Sequence, residues 1–180
     1  MTRRVILCLA LAPVAAFAQN RPLRAPDIHY DPSTMAHTEA MLKLAGITRK
    51  DIVYDLGCGD GRLVITAAKE YGARGVGIDI DPVRIQESTG NAKQAGVTKL
   101  VKFRNEDLFE ADIHEATVVM LYLWPSVNLK LRPKLLKELK PGTRVVSNLH
   151  DMGDWAPDKK IEADGHPIYL WTIPERPADK

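Results

Sequence analysis

The 180-residue chain carries 25 Lys+Arg against 23 Asp+Glu, a formal net charge of +2, with two cysteines. One well-buried domain fits that length and two ordinary ones do not. The near-balance of charge excludes the broad basic footprint of a protein that grips nucleic acid.

Residues 1–18 read as a secretory signal peptide: Arg3 and Arg4, an apolar stretch from Val5 to Phe17 broken by Pro13, then Ala16-Phe17-Ala18. The stretch is shorter than the ~20 residues that span a bilayer. A periplasmic or secreted product is expected; an uncleaved leader would instead leave the protein membrane-associated. Thr2–Leu7, "TRRVIL", partly resembles a twin-arginine signal, whose pathway exports folded proteins. Losing the leader removes Arg3, Arg4 and Cys8, which leaves 23 basic against 23 acidic residues and Cys58 alone. No disulfide framework or cysteine-based zinc site is then possible within one chain.

Residues 19–32, with Pro22, Pro26 and Pro32, read as an extended segment before a domain over 33–174 and a short tail, 175–180. Ser33 or Thr34 can cap a helix carrying Met35, Met41, Leu42 and Leu44, and Gly46 can end it. Apolar, β-branched runs at 52–56, 74–80, 99–103, 117–123 and 143–149 then alternate with helical segments at 61–71, 82–95 and 126–139. The stretch 105–116 is too short and too acidic for a helix. Lys160–Ala163 and Ile168–Ile173, joined by Asp164-Gly165, form a terminal hairpin. This order predicts an α/β, Rossmann-like fold: a mostly parallel seven-stranded sheet with a C-terminal antiparallel hairpin.

Asp55–Arg62, "DLGCGDGR", sits at the carboxyl end of the first strand, where doubly wound sheets bind ligands. Gly57, Gly59 and Gly61 permit a tight turn with no Cβ to hold a ligand away. The loop departs from a dinucleotide fingerprint, because Arg62 stands where the third glycine should be, and it lacks the Gly-Lys-Ser/Thr ending of a P-loop. It opens on an acid, Asp55, which would repel a pyrophosphate and attract a cation. Asp79 closes "GVGIDID" about twenty residues on, at the position that accepts from ribose hydroxyls. Asp107 follows the next strand in "NEDLF". Each acid alone could be a helix cap or a solvated turn; together they describe a ligand with a ribose, an adenine and a positive charge, and no phosphate.

"DLGCGDGR", "GIDIDP" and "NEDLF" resemble the cofactor motifs of class I S-adenosylmethionine-dependent methyltransferases, over roughly residues 30–174. The resemblance implies S-adenosylmethionine as cofactor, with Asp55, Gly57 and Gly59 around its methionine end, Asp79 on the ribose, and Asp107 with Leu108 at the adenine. "YDPS" at Tyr30–Ser33 and "LYLWPSVN" narrow the likeness to small methyltransferases related to the mitochondrial lysine methyltransferases that modify the c-subunit of ATP synthase and the adenine nucleotide translocase. This sequence departs from them at Cys58, in "GIDIDP" and after the fourth strand. Cys58 reads as a small turn-filler rather than a nucleophile.

The resemblance implies a protein lysine as acceptor; a small amine, small-molecule N- or O-methylation and a cofactor-binding module without chemistry are the alternatives. No Asn/Asp-Pro-Pro-Tyr motif is present to accept from a base amine, so no nucleic-acid substrate is expected. A monomer is expected. A lysine must shed its proton before accepting a methyl, which apolar walls promote, and aromatic rings attract a methylated ammonium. Tyr30, Tyr122, Trp124 and Trp155 are candidates for such walls, with Tyr30 and Trp124 favoured. His150, in "NLHDMGDW", is the candidate general base, with Asp151 to orient it or to bind an ammonium; either could equally fix the loop by hydrogen bonds. His29, His37, His114 and His166 lack ligand spacing, so no metal is expected.

Overall fold

A computed structural model of the protein describes residues 23–26 and 30–175. The leader, Cys8 and His29 lie outside the described residues, as does most of the tail. Seven strands form one sheet in the order β3-β2-β1-β4-β5-β7-β6. The first five, β1 (Ile52–Leu56), β2 (Arg74–Asp79), β3 (Val101–Asn105), β4 (Val118–Leu121) and β5 (Arg144–Asn148), run parallel. β6 (Lys159–Ala163) and β7 (His166–Thr172) form the expected hairpin, with β7 antiparallel to β5.

The central strands β1 and β4 are largely apolar because both faces are covered. Helices α1 (Met35–Ala45), α2 (Arg62–Tyr71) and α3 (Pro82–Gln94) lie over one face, where Met41, Leu42, Val64, Ala67 and Ala92 join Val53 and Met120. On the other, α4 (Pro125–Glu138) supplies Val127, Leu131 and Leu135. Ala111, Ile113 and Ala116 of the β3–β4 connection complete that second core. The acidic stretch 105–116 thus covers sheet without forming a helix, as expected.

Thr34 caps α1 by accepting from His37 N at 3.1 Å, and Gly46 ends it at φ 61°. Most strand ends differ from expectation by a residue or two, and two of these shifts bear on the site. β3 starts and ends two residues later than 99–103, because Leu100 N bonds back to Val97 O and pairing with β2 runs out to Asp79↔Asn105. β4 stops at Leu121; Pro125 holds Trp124 in extended backbone at φ −64°, ψ 154°, and Tyr122–Trp124 leave the sheet. Both shifts matter for function, since they decide which side chains reach the strands' carboxyl ends.

Candidate active site

The parallel strands end at a cavity of 250 Å³ lined by residues from β1 and β2, from the connections after β3, β4 and β5, and from the segment before α1. Strand order reverses here, with β2 on one side of β1 and β4 on the other. After Leu56 the chain turns so that Gly57 N and Cys58 N both donate to Ile78 O, at 2.8 and 3.0 Å. Gly61 N then closes on Cys58 O at 2.9 Å, and Gly61, at φ 81°, caps α2. Gly59 is required twice over: its φ is 52°, and a Cβ would stand 2.3 Å from Cε2 of Tyr30. The Tyr30 ring therefore lies on the glycine loop itself, with the Arg84 guanidinium stacked over it at 4.7 Å.

Both oxygens of Asp79 face the loop: Oδ2 accepts from Gly59 N and Oδ1 from Asp81 N, each at 2.9 Å. A carboxylate offers about four acceptor sites, so about two remain, which matches a pair of ribose hydroxyls. Asp107 is held in a bidentate pair with Arg24, at 2.5 and 3.0 Å, and also accepts from Phe109 N at 3.0 Å. Burial pushes its carboxyl up, but the bonds from Arg24 and Phe109 outweigh that and leave it below the usual range. By the same count about one acceptor site is left for an adenine amine. Leu108 lies beside it in the cavity wall. The residues present fit the adenosine of the expected cofactor.

Asp55 corrects a simple expectation. It is 3% exposed, and burial, aided by the charges of Asp79 and Asp60, pushes its carboxyl up to about 8. Burial thus favours its neutral form in the ligand-free protein, and a cation beside it would favour the charged one. Asp60 is committed elsewhere: it clamps Arg62 at 2.6 and 2.9 Å, and Arg62 also donates to Ser33 O. Cys58 is buried, and burial with nearby Asp55 and Asp79 holds its thiol well above the ordinary value, consistent with a turn-filler.

Tyr30, Tyr122, Trp124 and His150 all line the same cavity. Trp124, the residue before α4, is 60% exposed at the mouth. His150 follows Leu149, whose φ of 68° is rare for a side-chain-bearing residue and tightens the turn so that His150 N reaches Asn148 O at 2.8 Å. Buried Asn128 and Ser147 hold the loop through the His150 carbonyl, at 3.3 and 2.6 Å. Burial, opposed by Asp151, lowers the imidazole's affinity for protons, so the neutral, proton-accepting form dominates at pH 7.

One candidate falls outside the site. Trp155 is no part of the cavity: its carbonyl accepts from Trp171 Nε1 at 2.7 Å and its ring packs on the Trp171 ring, 5.8 Å between centroids. Of the roles open to Asp151, the structure shows the loop-fixing one: its Oδ1 accepts from Gly153 N at 3.0 Å and fixes a turn. Sequence reasoning missed Arg24, Asp31, Arg62 and Arg84 as cavity residues. Among the described residues no group of acids, histidines and cysteines is placed to hold a metal, and no helix is long and apolar enough to cross a membrane.

A family described as the ANTKMT methyltransferase domain matches residues 55–159, from the end of β1 to the terminal hairpin. The chain belongs to this methyltransferase family. A protein-lysine N-methyltransferase of Saccharolobus islandicus is 44% identical to this methyltransferase over 83% of its chain and 96% of the relative. A Xenopus laevis lysine N-methyltransferase of the ATP synthase c-subunit is 33% identical over 81% of the chain, which spans only 66% of that relative. Across the vertebrate lysine methyltransferases that it matches, the chain covers 45% to 69% of their length. The crystal structure of an RNA methyltransferase from Salinibacter ruber with S-adenosylhomocysteine is 57% identical, with a TM-score of 0.80 over 83% of this chain and 98% of that one. The protein is an S-adenosylmethionine-dependent methyltransferase of the class I fold.

Proposed function

We propose that this methyltransferase N-methylates lysine side chains of a protein, with Tyr30, Trp124 and His150 as the residues that receive and prepare the amine. The observation that carries this reading is an aromatic mouth, Tyr30, Tyr122 and Trp124, that opens onto the glycine loop within one cavity. Bound S-adenosylmethionine would supply a methyl group on a cationic sulfur. The chain's own work is to hold a neutral amine in line with that methyl and to keep water away. Apolar walls lower the pKa of a lysine that enters, and neutral His150 can take the proton it sheds. Relatives from Saccharolobus islandicus and vertebrates, described as lysine methyltransferases, support the same acceptor class.

The Salinibacter ruber relative is described as an RNA methyltransferase, so a nucleic-acid acceptor is the reading to be tested against. Charge argues for the amine. The cavity's three arginines are each paired with an acid: Arg24 with Asp107, Arg62 with Asp60 and Arg84 with Glu87. A phosphate backbone would meet carboxylates and already-satisfied cations. When cell extract is incubated with the enzyme and methyl-labelled S-adenosylmethionine, label is expected to resist ribonuclease and to appear as methyllysine after acid hydrolysis. Label in RNA or in low-mass products would overturn the reading.

We further propose that the protein is exported by its leader, supported by the order of Arg3-Arg4, apolar stretch and Ala16-Phe17-Ala18. A tagged copy is expected to yield a mature form that begins at Gln19 outside the inner membrane. Retention with Met1 intact, in the cytoplasm or on the membrane, would refute export.

A further inference from the structure

The cavity is lined by six carboxylates: Asp31, Asp55, Asp60, Asp79, Asp81 and Asp107. Four are engaged through bonds within the protein. Asp60 is clamped on Arg62, Asp107 on Arg24, and Asp79 on the N–H groups of Gly59 and Asp81. Asp81 caps α3 by accepting from Val83 N at 2.8 Å and faces Arg84 at 3.9 Å. Asp55 is buried at the floor of the loop. Asp31 differs from all of these. It is exposed, and its bond is to a neutral donor: the Tyr122 hydroxyl, 3.2 Å from Oδ2.

The placement of that pair is specific. Asp31 directly follows Tyr30, whose ring lies on Gly59, while Tyr122 directly precedes Leu123, whose Cδ2 would stand 2.9 Å from a Cβ on Gly57. The Asp31–Tyr122 bond therefore joins the two walls that flank the glycine loop.

We propose that Asp31 is a specificity-determining residue that receives the ammonium of the incoming acceptor at the cavity mouth and selects cationic side chains over neutral ones. The inference rests on the lysine reading above and adds the residue that reads the acceptor's charge. A phenol that donates to one oxygen leaves most of the carboxylate's acceptor sites for an ammonium, and bonds between charged groups are about twice as strong as neutral ones. A hydroxyl, an amide or an acetylated lysine brings no charge and gains much less. Tyr122 and Trp124 offer ring faces that also favour a cation.

The test uses the full chain with oligolysine as acceptor and oligo-(Nε-acetyl-lysine) as neutral competitor. Asp31→Asn is expected to raise KM for oligolysine by about tenfold or more, as loss of a bond between charged groups would. Turnover at saturation should change by less than about threefold and S-adenosylmethionine affinity by less than about twofold, since Asp31 serves neither step. Asp31→Glu should recover much of the loss, and Tyr122→Phe, which keeps the carboxylate, should have a smaller effect than Asp31→Asn. The neutral competitor should inhibit the wild type poorly and discriminate little between it and the variant. If the wild type methylates oligolysine and Asp31→Asn has an unchanged KM, the assignment of Asp31 is wrong while the lysine reading stands. If the wild type labels RNA or small molecules and no lysine, the lysine reading fails and the assignment with it.

Discussion

Asp79→Ala is expected to weaken S-adenosylmethionine binding by roughly 1.5–3 kcal/mol, about 10- to 150-fold, the range for hydrogen bonds to a charged group. The upper part of that range is expected, because the carboxylate does two things at once. One side of it is left for ribose hydroxyls; the other fixes Gly59 N and Asp81 N at 2.9 Å. Removing it frees the glycine loop and the start of α3, so the binding surface would have to be ordered by the ligand at an entropic cost. Calorimetry on the purified chain measures the effect directly. Asp79→Asn keeps the shape and loses the charge, and should fall between wild type and alanine. A loss below about threefold for the alanine variant would refute the role assigned to Asp79.

Cofactor affinity is expected to rise by up to about tenfold per pH unit between pH 6 and pH 7.5, because Asp55 must lose its proton to face a cation. Its carboxyl is held at about 8 by burial and by the neighbouring Asp79 and Asp60. Ligand binding at pH 7 should therefore release close to one proton, seen as a heat that scales with the buffer's ionisation enthalpy. Asp55→Asn should abolish both the release and the pH slope. The sign for stability is the opposite. In the ligand-free chain the folded carboxyl titrates well above its unfolded value near 4, so its stabilising contribution is complete below about pH 4. It is lost as pH rises towards 8, by at most about 1.4 kcal/mol per unit. Proton-independent binding across this range would overturn the account of Asp55.

How much of this was legible in the sequence follows from the range of the interactions involved. Strand and helix order could be read because periodicity and caps are local: Thr34 and Gly46 bound α1 where a short window says they should. The carboxyl-end acids were legible because each lies at or within two residues of the end of its own strand. Arg24 was not, since it reaches Asp107 across 83 residues and nothing in its neighbours signals that partner. Trp155 misled for a related reason: an aromatic after a strand looks the same whether it lines a cavity or stacks on Trp171. The ionisation of Asp55 depends on burial, which the fold creates and no motif encodes. Asp31 lies inside "YDPS" yet carries no local signal of its role, because its meaning comes from Tyr122, 91 residues away.

The ends of the sheet carry a consequence for how the protein behaves when crowded. The two outermost strands, β3 and β6, are short and bear Lys102, Arg104, Lys159 and Lys160. Two copies meeting rim to rim would have to bring these like charges together while desolvating them, which opposes uncontrolled strand addition and fibre growth.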